Sequence, residues 1–186
     1  MNRLKEINCR VLSVVAFSFL FAYLLSFLFE GQVLYSLLEH YEIDASGYIL
    51  AAIVAHFFGL FCCGWFVKSP KTAQYAMLVG MGICLTATVP FVFPPSVLWF
   101  AGLIISGYAG GCAVASWGYY LKTCTPKNQR LKSCADVLIY SNIIMIVINV
   151  VAMNLSPFVG LVLSMLCLPL GAAFVWMLPT NDRDNW

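Results

Sequence analysis

Apolar positions run along this chain in long blocks, without the polar residue every third or fourth place that marks a helix at a water surface. Six blocks stand out: Val11–Phe29, Tyr48–Val67, Ala73–Phe93, Val97–Tyr120, Val137–Met153 and Pro157–Leu178. Each is close to the roughly 20 residues that a helix needs to cross a hydrocarbon core of about 30 Å. The first block continues, after Glu30 and Gly31, into a second apolar stretch ending at Leu38. Helices are therefore predicted at about 11–38, 48–67, 73–93, 97–120, 137–153 and 157–178. Ten-residue segments of strict alternation, which a membrane barrel needs, do not occur, and helices can satisfy every backbone group inside lipid. The fold class expected is an all-α integral membrane protein, with one six-helix domain over residues 1–186. The connections are too short for a separate soluble domain. The first block is longer than a signal-peptide core of about 7–15 residues and no small-x-small site follows it, so it is read as a retained helix.

Composition agrees: 62% of 186 residues are hydrophobic, 10% are charged, and the mean hydropathy is +0.88. Charge then orients the helices. If the amino terminus is cytoplasmic, Arg3, Lys5, Arg10, Lys68, Lys71, Lys122, Lys127, Arg130, Lys132 and Arg183 all fall on the inner side. The outer side receives Glu39, His40, Glu42 and Asp44. Both termini are thus expected in the cytoplasm, in a bacterial plasma membrane, and the net charge of +2 reports insertion with no nucleic-acid partner. Trp65, Trp117 and Trp176 fall near inner helix ends and Trp99 near an outer one, as interfacial belt anchors would. The eight cysteines show no C-x-x-C spacing and read as small apolar residues, with no disulfide framework expected outside.

Small residues repeat at helical spacing in two places: Ala51, Ala55, Gly59 and Cys63, then Gly107, Gly111 and Ala115. Such stripes let helix backbones approach closely. Pro169 is expected to bend the last helix. Counting about 1.5 Å per residue from the inner edge places Tyr23 and His56 near 18 Å, Tyr108 near 14 Å, Asn142 near 12 Å and Asn149 near 22 Å. These five are the candidate substrate-binding residues, drawn from the first, second, fourth and fifth helices. The third and sixth offer only hydroxyls such as Thr86, Thr88 and Ser164. Glu30 is either an interfacial charge or, if the first helix continues, a carboxylate that could couple a proton or cation. Asn142 and Asn149 share one helix face, which suits either interhelical bonding or contact with a solute.

Catalytic patterns are poorly matched. The string IISG around Ser106 lacks the first glycine of an intramembrane serine protease, and the sixth helix has no His. His56 has no second intramembrane His to share a haem, and no acidic cluster marks a metal. No enzymatic activity, cofactor or metal is expected.

The run LLEHYEIDASGYILAAIVAHFFGLFCCGWFVKSPKTAQYAMLVG resembles the first outer loop, second helix and basic inner turn of the major facilitator superfamily. GLIISGYAGGCAVASWGYYLKTCTPKNQRLKSCADVL resembles its Gly-rich fourth helix and the following turn. The resemblance covers the chain as one half of a twelve-helix fold. It implies two inverted three-helix repeats, with the first, second, fourth and fifth helices at a central cavity and the third and sixth outside it. It also implies alternating access against a second six-helix half, from a homodimer, a partner chain or a missing carboxyl-terminal portion. Lys68, Lys71 and Arg130 would then sit in cytoplasmic gate loops. After Gly64 this chain has Lys68, Ser69 and Lys71 where the family carries an Asp, a basic residue and a Gly, so a proton-coupled drug exporter is not expected. The function expected is transport of a small solute. Two alternatives are a non-transporting membrane sensor or scaffold, and a six-helix substrate-capture subunit of an energy-coupling importer.

Overall fold

The computed structural model describes residues 2–29 and 31–180. Within them the chain is helical, without strands: α1 (Asn2–Tyr23), α2 (Gln32–His40), α3 (Ser46–Phe66), α4 (Pro70–Thr88), α5 (Val97–Cys124), α6 (Arg130–Asn154) and α7 (Pro157–Trp176). Six spans, with α1 and α2 sharing the first, are long and apolar enough to cross a membrane. The protein is an α-helical integral membrane protein.

Local chemistry fixes the helix starts. Ser69, Ser96 and Ser156 each accept a hydrogen bond from a first-turn amide, that of Thr72 (3.2 Å), Leu98 (3.3 Å) and Phe158 (3.3 Å). Pro70 and Pro157 follow two of these caps at the first helical position, where a missing N–H costs nothing. At α3, Asp44 does this work from outside the helix, accepting from the Ser46 amide and hydroxyl. Those bonds hold the exposed Asp44 carboxyl below its ordinary value.

The first span is not the continuous helix predicted over 11–38. Leu24–Leu28 forms a π-helical turn, in which the Phe29 amide reaches back to the Leu24 carbonyl at 2.7 Å. The helix then stops, and α2 begins at Gln32. Gly31 is packed so tightly on the preceding turn that a Cβ there would lie 1.9 Å from the Ser26 carbonyl oxygen. Only glycine permits that approach. The fifth helix also differs, starting at Arg130 rather than near residue 137, because Arg130–Asp136 extend it beyond the apolar run.

Contacts at the two ends establish an up-and-down arrangement. At one end the Tyr120 hydroxyl donates to the Pro70 carbonyl (3.0 Å), and Gln74 donates to the carbonyls of Val175, Trp176 and Leu178. Arg10 pairs there with Asp136 and donates through Nε to Ser133 (2.7 Å). Cys9 and Cys124 are joined by a disulfide at the same end, which corrects the reading of all the cysteines as apolar filler. At the opposite end His40 meets Phe158, Tyr41 meets Trp99, and Trp99 donates to the Pro90 carbonyl at 2.9 Å. Lys68, Lys71, Lys122, Lys127, Arg130 and Lys132 accompany Arg10 at the first end; Glu39, Glu42 and Asp44 lie at the second.

Two spans form the centre. α5 packs most extensively on α3 and α4, while α1 packs on α7 and α6 and also touches α5. Of the first span's apolar window 67% is buried, against 17% for the fifth. α4 and α7 supply core contacts, and α6 is the least buried of the spans. Two tryptophans are corrected as well. Trp65 and Trp176 are exposed as belt residues should be, but Trp99 is buried, and Trp117 stacks on Phe17 at 3.9 Å with Nε1 donating to Ser13.

Candidate functional site

The interrupted first span creates the most unusual chemistry in the bundle. Polar backbone inside a membrane needs partners, and discontinuous helices occur there where protein or a water-lined path covers them. Around this break three other helices converge. The Tyr23 hydroxyl, fully buried at the end of α1, bonds to Thr88 of α4 at 2.6 Å. Thr88 gives its own proton to the Cys84 carbonyl (2.6 Å), so Tyr23 is the donor.

His56 comes from α3. Its ring stands edge-on to Phe29, with centroids 4.5 Å apart, at the point where the first span breaks. The residue is 6% exposed, lies alongside the Gly107 carbonyl, and closes no hydrogen bond at Nδ1. Gly110 makes room for it: a Cβ there would be 3.7 Å from Nδ1, 2.9 Å from Leu24 and 3.9 Å from the Cys84 sulfur. The close crossing of α3 and α5 holds this arrangement, because Gly59, Gly107 and Gly111 each place backbone where a Cβ would collide with the facing helix. Of the small-residue stripes read from the sequence, Ala55, Gly59 and Cys63 of α3 and Gly107 and Gly111 of α5 form this seam, with Ala52 rather than Ala51 as its first alanine.

A groove of about 370 Å³ begins at Gln32, where α2 starts after the break. One wall is a polar stripe on α2, Gln32, Ser36, Glu39 and His40, at the i, i+4, i+7, i+8 spacing of one helix face. The other wall is the α6–α7 turn, including Ala152, Met153 and Ser156. Asn149 precedes Ala152 and Met153 by three and four residues and so shares their side of α6; its Oδ1 is buried without a partner. Sequence reading missed Gln32, Ser36 and Glu39 as a set. Their spacing was visible, but only the break turns that stripe into a wall.

The five predicted cavity residues are not brought together. Tyr23 and His56 lie at the break, and Asn149 lies on the groove side of α6. Tyr108 is exposed on the far side of α5, within reach of Cys62. Asn142 bonds back to the Leu138 carbonyl of its own helix at 2.7 Å, so that bond does not tie helices together. Glu30 lies outside the described residues. Of the gate-loop candidates, Lys68 is exposed in the α3–α4 turn and Lys71 in the first turn of α4. Arg130 instead donates to the carbonyls of Lys122 (2.8 Å) and Thr125 (3.3 Å), closing the carboxyl-terminal end of α5.

Fold and site together define a polytopic α-helical membrane protein with a broken first span. Compared with known proteins, the chain matches no family model, no curated protein and no solved structure.

Proposed function

We propose that this chain is a six-helix transport domain that moves a small polar solute by alternating access, together with a second six-helix half. What supports the reading is the interrupted first span: a buried histidine whose Nδ1 closes no hydrogen bond packs on Phe29 at the break, and a polar groove begins at Gln32, the first residue of α2. Gln32, Ser36 and Asn149 would receive the solute from the groove, and His56 would meet it at the break. The packing pattern supports two three-helix repeats: exchanging the first span with the fourth, the second with the fifth and the third with the sixth carries the main pairings into one another. Thus α5 on α3 and α4 corresponds to α1 on α6 and α7, and α4 on α7 maps onto itself. The sorting of cations to the end that holds Cys9 and Pro70 supports a cytoplasmic position for that end. The second half would come from another copy, a partner chain or a further carboxyl-terminal portion.

The alternative of a non-transporting sensor is favoured by one observation: Tyr23 is already sealed by Thr88, and Tyr108 and Asn142 point away from the break. Uptake of labelled amino acids, sugars and nucleosides into vesicles holding the membrane-extracted assembly separates the two. Transport predicts accumulation of at least one solute, reduced tenfold or more by His56→Ala. Absence of uptake for every solute refutes transport and leaves the sensor.

A further inference from the structure

α3 and α4 leave α5 uncovered between them, and the gap is a side-opening apolar groove of about 750 Å³. Its floor includes Ala109 and Cys112 of α5, and its walls include Phe58 of α3 and Val79 of α4. Along α4 the lining runs from Thr72 to Ile83. At about 1.5 Å per residue that is roughly 16 Å, the depth of one leaflet of a core about 30 Å thick. Charge is confined to one end. The lining reaches Val67 and Thr72, and the exposed Lys68, in the turn between the two helices, and Lys71, in the first turn of α4, adjoin them.

We infer that this groove binds one anionic phospholipid, with an acyl chain lying along Ala109 and Cys112 and the phosphate headgroup held by Lys68 and Lys71. Length, apolar lining and charge are matched to a lipid of the leaflet on the basic side. A lysine near an anionic surface contributes about 1 kcal/mol, which is about fivefold in affinity. The site is independent of whether the chain transports a solute, because it lies on the opposite side of α5 from the break.

Native mass spectrometry of the delipidated full chain, titrated with phosphatidylglycerol or phosphatidylcholine of the same acyl chains, tests the assignment. Phosphatidylglycerol is expected to bind more tightly, and Lys68→Gln and Lys71→Gln should each lower its affinity about fivefold and that of phosphatidylcholine, whose choline ammonium offsets its phosphate charge, by less. Ala76→Phe, which fills the groove from α4, should block both lipids; circular dichroism checks that it folds. A phosphatidylglycerol carrying a photoreactive group in its acyl chain should label peptides containing Tyr75 or Tyr108. Equal binding of the two headgroups, labelling confined to other helices, or a lipid-free dimer that occupies the same face would each overturn the inference.

Discussion

A methyl group at residue 111 tests the α3–α5 seam directly. In Gly111→Ala the new Cβ would stand 2.2 Å from the His56 carbonyl oxygen and 2.8 Å from the Leu60 amide nitrogen. Ordinary contact needs about 3.5 Å, so the helices must part by about 1.3 Å, enough to forfeit up to half of each contact along the seam. Overpacking of this kind costs about 1–3 kcal/mol. The substitution also gains up to about 1 kcal/mol of helix propensity, which has to be removed from the comparison. Gly118→Ala in the same helix supplies that correction, because nothing lies within 4 Å of its Cβ position. Gly118→Ala should therefore be neutral or slightly stabilising, and Gly111→Ala less stable than it by about 1–3 kcal/mol. Titration of mixed micelles with sodium dodecyl sulfate, followed by far-ultraviolet circular dichroism, measures both. A Gly111→Ala protein as stable as Gly118→Ala would refute the close crossing, and with it the placement of His56 against Gly107 and Gly110.

Two further expectations concern the basic end. Asp136→Asn should destabilise the bundle by about 1.5–3 kcal/mol, since Arg10 would lose a charge-assisted partner in a half-buried site, and the double change with Arg10→Gln should cost less than the two singles summed. Additive losses in that thermodynamic cycle would remove the pair as a direct interaction. Alkylation of the denatured, unreduced protein should modify six cysteines, and reduction beforehand should raise the number to eight, with peptide mapping assigning the protected pair to Cys9 and Cys124. Eight adducts without reduction would show that the pair is not bonded in the isolated protein.

The spans were legible because lipid imposes a length rule on composition, and that rule needs no tertiary knowledge. Helix ends were less so: Lys132 and Asp136 look like loop residues, yet Asp136 belongs to a helix that projects past the apolar run and is neutralised by Arg10. The break in the first span was invisible in an apolar string. Its determinant, Gly31 against Ser26, is a close approach that sequence spacing does not encode. Depth counting put Tyr23 and His56 at one level, and the structure has both beside the break. The same count carried no information about direction around the helix axis, and so grouped Tyr108 and Asn142 with them. Trp99 shows the same failure, at an end of its helix as a belt residue would be, but turned inward onto Phe91 and Tyr41.

The wrapped first span has a consequence for how the protein is made. α1 leaves the ribosome before the helices that cover it, α5, α6 and α7, and the partners of Cys9 and Arg10 lie 115 and 126 residues further on. Until those helices are synthesised, the first span waits in the bilayer with its guanidinium unpaired and its break uncovered. The packing of the first span is therefore completed only as later spans close around an earlier one.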